Sequence, residues 1–392
     1  MAWARRPTRP LVNEELGNWG TGELMADRVL GVGLVGVGWV AAQHLQAFKG
    51  NSRTRIVALC GRNEGRARQK LAAAGVRVLE ARFTTRYRDL LTAPDIDIIS
   101  IATPNHLHAS QAVAAARAGK HLLLEKPTGL NHDELKQIRQ AVTRSGVRSI
   151  VSFELHYNPY LRFAKWLREE GWLGRLVFAR FQYLSRVTDW YSGWSWVRTN
   201  KSGRSHLLAA GCHAVDALRW CTGLEVMDVS AFHTKVTRGY QWPTTIVVNM
   251  TMDSGRNTAP VLAQLTSSTD LQLPYTFGVE MMGDRASLRD DLILWNETPV
   301  DLAALRAACP FDNVAFEEVK TQTGASAIRI KTAMPGSADV AHHPFQGEID
   351  ELVDCIFEDR ETHLNVHDAE LTMRVCIAAD RSAARHGRSV RV

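Results

Sequence analysis

RVLGVGLVGVGWVAAQHLQAF, residues 28–48 (Arg28 to Phe48), decides how the rest of the chain is read. The apolar run from Val29 to Val35 predicts a buried strand, and a helical pattern opens at Trp39-Val40-Ala41. Between them, Gly36-x-Gly38-x-x-Ala41 has the spacing of the strand-to-helix turn of a dinucleotide-binding unit. Gly36 supplies the tight turn, Gly38 lets the backbone approach a pyrophosphate, and the small Ala41 lets helix and strand pack closely. N–H groups left unpaired at the helix start, around Trp39 and Val40, are a place for phosphate oxygens. The alternative is a glycine-rich turn in an ordinary core. Strand before and helix after favour the cofactor reading.

The ribose-reading position follows the second strand, Arg55 to Cys60, where an NAD enzyme usually carries Asp or Glu. This chain has Gly61-Arg62-Asn63 instead. Loss of the carboxylate removes repulsion against a 2′-phosphate, and Arg62 offers a planar cationic fork to bind one. NADP is therefore expected in preference to NAD, the alternative being an ordinary solvated arginine. A helix from Glu64 to Ala74 and a third strand near 76–78 are predicted next. Asp95 to Ala102 reads as a strand buried on both faces. It ends in Thr103-Pro104-Asn105-His106-Leu107-His108, at the carboxyl edge where open α/β sheets bind ligands. An Ala-rich helix, a short strand His121–Glu125 running into Lys126-Pro127, a helix to Ser145 and a strand at 149–153 complete the alternation. This predicts one doubly wound parallel sheet, a Rossmann domain over residues 28–153.

Beyond residue 153 the pattern changes to consecutive strands without crossover helices, at 176–185, 226–236, 244–252, 260–267, 276–282 and 286–295. Residues 154–392 are expected to form an α+β domain with a mainly antiparallel sheet. Residues 297–340 look loop-rich, and helices are expected at 346–358 and 368–386. The first 27 residues carry Pro, Gly and charge without periodicity, so they read as a flexible extension, or as a misassigned start before Met25.

The 392 residues allow two or three domains, and 45% hydrophobic with 22% charged residues describe an ordinary globular protein. The net charge of +6 is scattered rather than blocked, which favours anionic small molecules over nucleic acid. Six cysteines form no C-x-x-C pair, the usage of a reducing cytoplasm. No apolar run is long enough to span a membrane, and no metal-ligand spacing is evident.

Three segments read together: Thr103 to His108, Gly119-Lys-His-Leu-Leu-Leu-Glu125-Lys126-Pro127, and Gly211-Cys-His213-Ala-Val-Asp216. With the glycine turn and the tail Pro344-Phe-Gln-Gly-Glu-Ile-Asp350, they resemble the Gfo/Idh/MocA family of oxidoreductases, from about residue 28 to the end. The resemblance implies hydride transfer between nicotinamide and a hydroxyl-bearing carbon of a sugar or polyol, and an open sheet in residues 154–392 that serves substrate binding and association into a homo-oligomer, dimer or tetramer. It implies that Lys126 holds the reacting hydroxyl and that His213 exchanges its proton. It also places Thr103, Pro104, Asn105, His108 and Glu125 around the cofactor. Oxidising an alcohol needs a base near neutral pKa and a cation for the developing alkoxide, and His with Lys supply both. Without the family, His213 would read as a histidine capping a core helix.

One departure matters. Many active relatives carry an Asp four residues before the histidine, where this chain has Ala209. Asp216, three residues after His213, or a water shell is then the expected substitute for orienting the imidazole, although in the family an Asp at that position reads more often as structural. The aromatic loop Trp190, Tyr191, Trp194, Trp196 suits the C–H faces of a pyranose, or else a dimer contact. Two other readings stay open: an NAD-dependent glycosidase working through transient oxidation, and a non-catalytic cofactor-binding sensor, which Ala209 favours.

Overall fold

The computed structural model describes residues 28–188, 191, 193–255, 258–333 and 343–392; the expectations for residues 1–27 and for Trp190 lie outside them. The first half alternates β1 (Leu30–Val35), α1 (Trp39–Gly50), β2 (Thr54–Cys60), α2 (Glu64–Ala73), β3 (Arg82–Thr84), α3 (Tyr87–Thr92), β4 (Ile98–Ile101), α4 (His108–Arg117), β5 (His121–Leu124), α5 (His132–Ser145) and β6 (Ser149–Val151). All six strands are parallel, in the order β3-β2-β1-β4-β5-β6. The order reverses at β1 and β4, and that switch point opens the crevice in which such sheets bind ligands. Every residue of β1 and β4 is buried, as helices on both faces require.

The second half holds α6 (Pro159–Glu169), β7 (Leu176–Leu184), α7 (Trp194–Val197), α8 (Cys212–Thr222), β8 (Val226–Thr234), β9 (Thr245–Met252), β10 (Val261–Ser268), β11 (Thr276–Gly283), β12 (Ser287–Arg289), β13 (Leu292–Leu294), α9 (Leu302–Ala308), β14 (Val314–Lys320), β15 (Ser326–Thr332), α10 (Gln346–Phe357), α11 (Val366–Ala383) and β16 (Val390–Arg391). Its sheet runs β14-β15-β13-β12-β11-β7-β10-β9-β8-β16, and β7 with β10 is the parallel pair in an otherwise antiparallel ladder. Helix α8 packs on β7 and α11 on β8, so one face is covered. A Rossmann sheet followed by an open, mainly antiparallel sheet is the expected fold class.

Three details differ from expectation. Residues 76–78 form no strand: Val76 is buried against Leu34, Leu45, Leu59 and Leu71, and the third strand follows at Arg82–Thr84. The strand expected over 286–295 is two, β12 and β13, turned at Asp290, whose φ of 48° is a left-handed conformation that Asp tolerates. The segment expected to be loop-rich contains α9 and the β14–β15 pair. In β14, Val-Ala-Phe-Glu-Glu-Val-Lys alternates half-buried with exposed residues except at Glu317-Glu318, both exposed, an edge strand whose charges hide its period.

The C-terminal segment returns to the first sheet. Thr362 Oγ1 donates to the Ser149 carbonyl (2.6 Å), Val151 N–H to the Leu364 carbonyl (2.8 Å), and Asn51 Nδ2 to Asp350 on α10 (2.8 Å). These ties close the two halves over one cleft of roughly 1510 Å³.

Candidate active site

At one end of the cleft lies the glycine turn. Gly36 has φ +90°, and a Cβ there would meet the Ala102 carbonyl oxygen at 2.4 Å. Gly38 is different: its φ is −93°, and the nearest atom to a Cβ would be 3.9 Å away. Among the described residues nothing therefore demands glycine at 38, and the space it leaves faces the cleft. Helix α1 begins there with no side chain capping it and no acidic residue in its first turn. Its free N–H groups fit a pyrophosphate. Next to it, Arg62, Arg66 and Lys70 line the cleft, and none has an ion-pair partner among the described residues. Arg66 and Lys70 follow Arg62 along the exposed side of α2, a spacing visible in the sequence but without a motif to single it out. The residues present thus fit a dinucleotide, and the cation cluster fits an added phosphate.

The middle of the cleft is built by the ends of β4 and β5. Thr103 Oγ1 is hydrogen-bonded to Gln111 (2.6 Å), and Asn105 Nδ2 donates to the Ser202 carbonyl (2.9 Å), tying this edge to the second half. The His108 ring lies between the carbonyl oxygens of Thr103 and Pro127, 2.8 Å from each. Its burial and these two contacts make it the brace of the two strand ends rather than an open ligand group. Glu125 is buried, 3.2 Å from His44 Nε2. Burial opposes its charge, but His44 and Lys126 outweigh this and hold its carboxyl below the usual range.

Lys126 precedes Pro127 through a cis peptide. No hydrogen bond or ion pair engages its ammonium among the described residues, and it lines the cleft. Burial pulls its proton affinity down, but Glu125, Cys212 and Glu154 outweigh that, so the ammonium is kept charged. Across from it, His213 stands in the first turn of α8, buried between Tyr183 (stacked, centroids 5.8 Å apart) and the edge-on Phe153 (5.7 Å). Burial, then Lys126, His343 and His156, push its pKa well below the ordinary value. This direction favours the neutral imidazole, the form that can accept a proton.

The carboxylate beside His213 comes from neither expected position. Ala209 lines the cleft as a small side chain. Asp216, expected to orient His213, faces elsewhere: its Oδ2 is 2.7 Å from His156 Nε2, and its Oδ1 accepts from Thr372 (3.0 Å). Three residues along a helix places two side chains on neighbouring faces, and here the Asp216 face turns into the α8–α11 contact. Instead Glu154, on the short turn after β6, brings Oε1 to 3.8 Å from His213 Nε2. The same oxygen accepts a hydrogen bond from His343 Nδ1, and Tyr275 Oη lies 3.1 Å from His343 Nε2. Glu154 and His343 were not legible as site residues: they lie 189 positions apart and match no spacing.

Of the aromatic loop, Tyr191 and Trp196 line the cleft. Trp194 does not; it stands edge-on to Tyr240 (4.8 Å). Tyr240 and Trp242 line the cleft too, but their polar ends are used on Val187 and Val197 carbonyls (2.6 and 2.8 Å), which hold the loop in place.

Residues 30–153 match the family described as oxidoreductase, NAD-binding Rossmann fold, and residues 161–289 match the GFO/IDH/MocA C-terminal domain. The chain is 38% identical over 146 residues to a levoglucosan dehydrogenase of Pseudarthrobacter phenanthrenivorans, covering 36% of each chain. It is 26% identical over 213 residues to an inositol 2-dehydrogenase/D-chiro-inositol 3-dehydrogenase of Lactiplantibacillus plantarum, covering 54% of this chain and 57% of that one. The chain thus spans about a third to just over half the length of these relatives. In fold it is similar to the WlbA dehydrogenase of Bordetella pertussis, solved in complex with NADH and UDP-GlcNAcA. The TM-score is 0.74 at 22% identity, over 93% of this chain and 98% of that one.

Proposed function

Because this chain belongs to the GFO/IDH/MocA oxidoreductase family, we propose that it moves a hydride between a nicotinamide cofactor and a hydroxyl-bearing carbon of a sugar, sugar derivative or polyol. The observation that carries the reading is the pairing, in one cleft, of an unengaged Lys126 ammonium and a neutral His213 imidazole beyond an uncapped glycine turn. The nicotinamide, when bound, supplies hydride acceptance or donation. Lys126 holds the substrate oxygen and stabilises the charge that develops there. His213 Nε2 accepts the hydroxyl proton, and Glu154, 3.8 Å away, stabilises the imidazolium that results. That carboxylate replaces the one missing at Ala209, so the sensor reading loses the observation that favoured it.

The cofactor preferred is NADP, since Arg62, Arg66 and Lys70 offer unpaired charge where an acidic residue would select NAD. Tyr191 and Trp196 provide faces for a pyranose or cyclitol ring. The six free thiols are in keeping with a reducing, cytoplasmic setting. Val177 and Leu262, each more than half exposed on neighbouring strands of the large sheet, support association with a second copy. No helix among the described residues is long and apolar enough to cross a membrane.

The test is a panel of sugars and polyols with NADP and NAD, followed by absorbance of the reduced cofactor. Lys126→Ala should fold normally and lower turnover roughly a hundredfold or more. Wild-type turnover in that variant, or no turnover with any member of the panel, would reject the reading.

A further inference from the structure

Glu154, His213 and His343 are buried together, and one ligand atom from each lies within 4.8 Å of the others. They come from three separate parts of the chain: the turn after β6, the start of α8 and the segment before α10. The hydrogen bonds at this cluster are incomplete. Glu154 Oε1 takes the His343 Nδ1 proton, but among the described residues the buried Glu154 Oε2 has no partner, and neither has His213 Nδ1. A buried carboxylate oxygen without a donor is costly.

We propose that these three side chains form a binding site for one divalent cation of the zinc or cobalt class. Two imidazoles and one carboxylate are the donor set that suits such ions, whereas magnesium and calcium take oxygen ligands. Three protein ligands with the remaining position facing an open cleft is the arrangement of an accessible rather than a closed structural site. Tyr275 Oη, 3.1 Å from His343 Nε2, holds that ring with Nδ1 toward the cluster. Binding displaces the proton shared by His343 and Glu154, which leaves to solvent.

The cation takes the lone pair of His213 Nε2, the same one that accepts the substrate's proton. Cation and substrate proton therefore compete, and the loaded enzyme is inhibited. This consequence rests on the oxidoreductase reading above, whereas the binding site does not.

The experiment uses the full chain, stripped with a chelator and titrated with zinc chloride by calorimetry in the absence of cofactor and sugar. One zinc per chain is expected, with affinity lowered at least tenfold in His343→Asn and in Glu154→Gln. His343→Asn keeps the proposal testable should the buried Glu154→Gln fail to fold. Absence of a stoichiometric site, or the same affinity in the folded variants, overturns the proposal. Turnover is then followed with zinc and with zinc plus chelator. Zinc binding without turnover on any sugar leaves the site standing and removes the oxidoreductase reading; turnover without zinc binding does the reverse.

Discussion

At Gly36 a side chain would collide with the Ala102 carbonyl, and the φ of +90° disfavours any L-residue, whereas at Gly38 neither constraint holds. The two glycines thus separate stability from ligand binding. Gly36→Ala should cost on the order of 2–4 kcal/mol in a urea unfolding experiment. Gly38→Ala should unfold like wild type yet bind NADP at least tenfold more weakly by fluorescence titration, because its methyl fills the space kept for phosphate. Equal loss of stability in both would mean that Gly38 is there for the fold alone. The glycines were legible because they sit in a short local pattern whose chemistry is fixed by residue type, whereas Lys126 and His213 could be singled out only through the resemblance of their segments to the family. Glu154 was legible in neither way: it lies in Phe153-Glu-Leu-His-Tyr157, just past the last parallel strand, and gains meaning only when His213 and His343 fold against it.

Two helices show how an element's faces decide what its residues do. Arg62, just before α2, and Arg66 and Lys70 on it line the cleft, while the same helix buries Ala67 and Leu71 on its other side. Arg62→Ala and Arg66→Ala should each narrow the ratio of NADH to NADPH dissociation constants by about three- to tenfold, since a charge-assisted phosphate contact contributes on the order of 1.5 kcal/mol at an exposed site. An unchanged ratio in both variants would leave the cofactor preference without a physical basis here. On α8, His213 faces the cleft while Asp216 faces His156 and Thr372. Asp216→Ala should therefore act on stability, by about 3–5 kcal/mol in urea unfolding, because it strips a partner from a buried polar pair. The periodicity of α8 was readable from sequence, but which face met which neighbour was not, because α11, the helix that covers Asp216, lies about 150 residues on. The β14–β15 pair was missed for a related reason: its charged edge strand carries an alternation that only pairing makes visible.

At the scale of the whole molecule, the C-terminal segment returns to the first sheet, and Glu351 braces that segment from within. On α10, Glu351 Oε2 lies 2.5 Å from His363 Nδ1, and Glu351 also accepts from the Tyr157 hydroxyl (2.6 Å) and the His363 N–H (2.7 Å). Burial would raise the Glu351 pKa, but the His363 and Tyr157 contacts outweigh it and bring the carboxyl down to about 2. The unfolded chain binds this proton near the ordinary value of 4.5, so between those two pH values it holds more protons than the folded chain does. The stabilisation is therefore complete above about pH 5 and is lost as pH falls toward the folded pKa. A drop of about two and a half units corresponds to roughly 3 kcal/mol. Urea unfolding should show Glu351→Gln less stable than wild type by on the order of 2–3 kcal/mol at pH 6. The gap should shrink steadily as the pH is lowered toward 3, while the Gln variant's own slope with pH becomes shallower. A gap that stays constant across that range would mean that Glu351 stabilises the segment through packing and neutral hydrogen bonds alone, not through its charge.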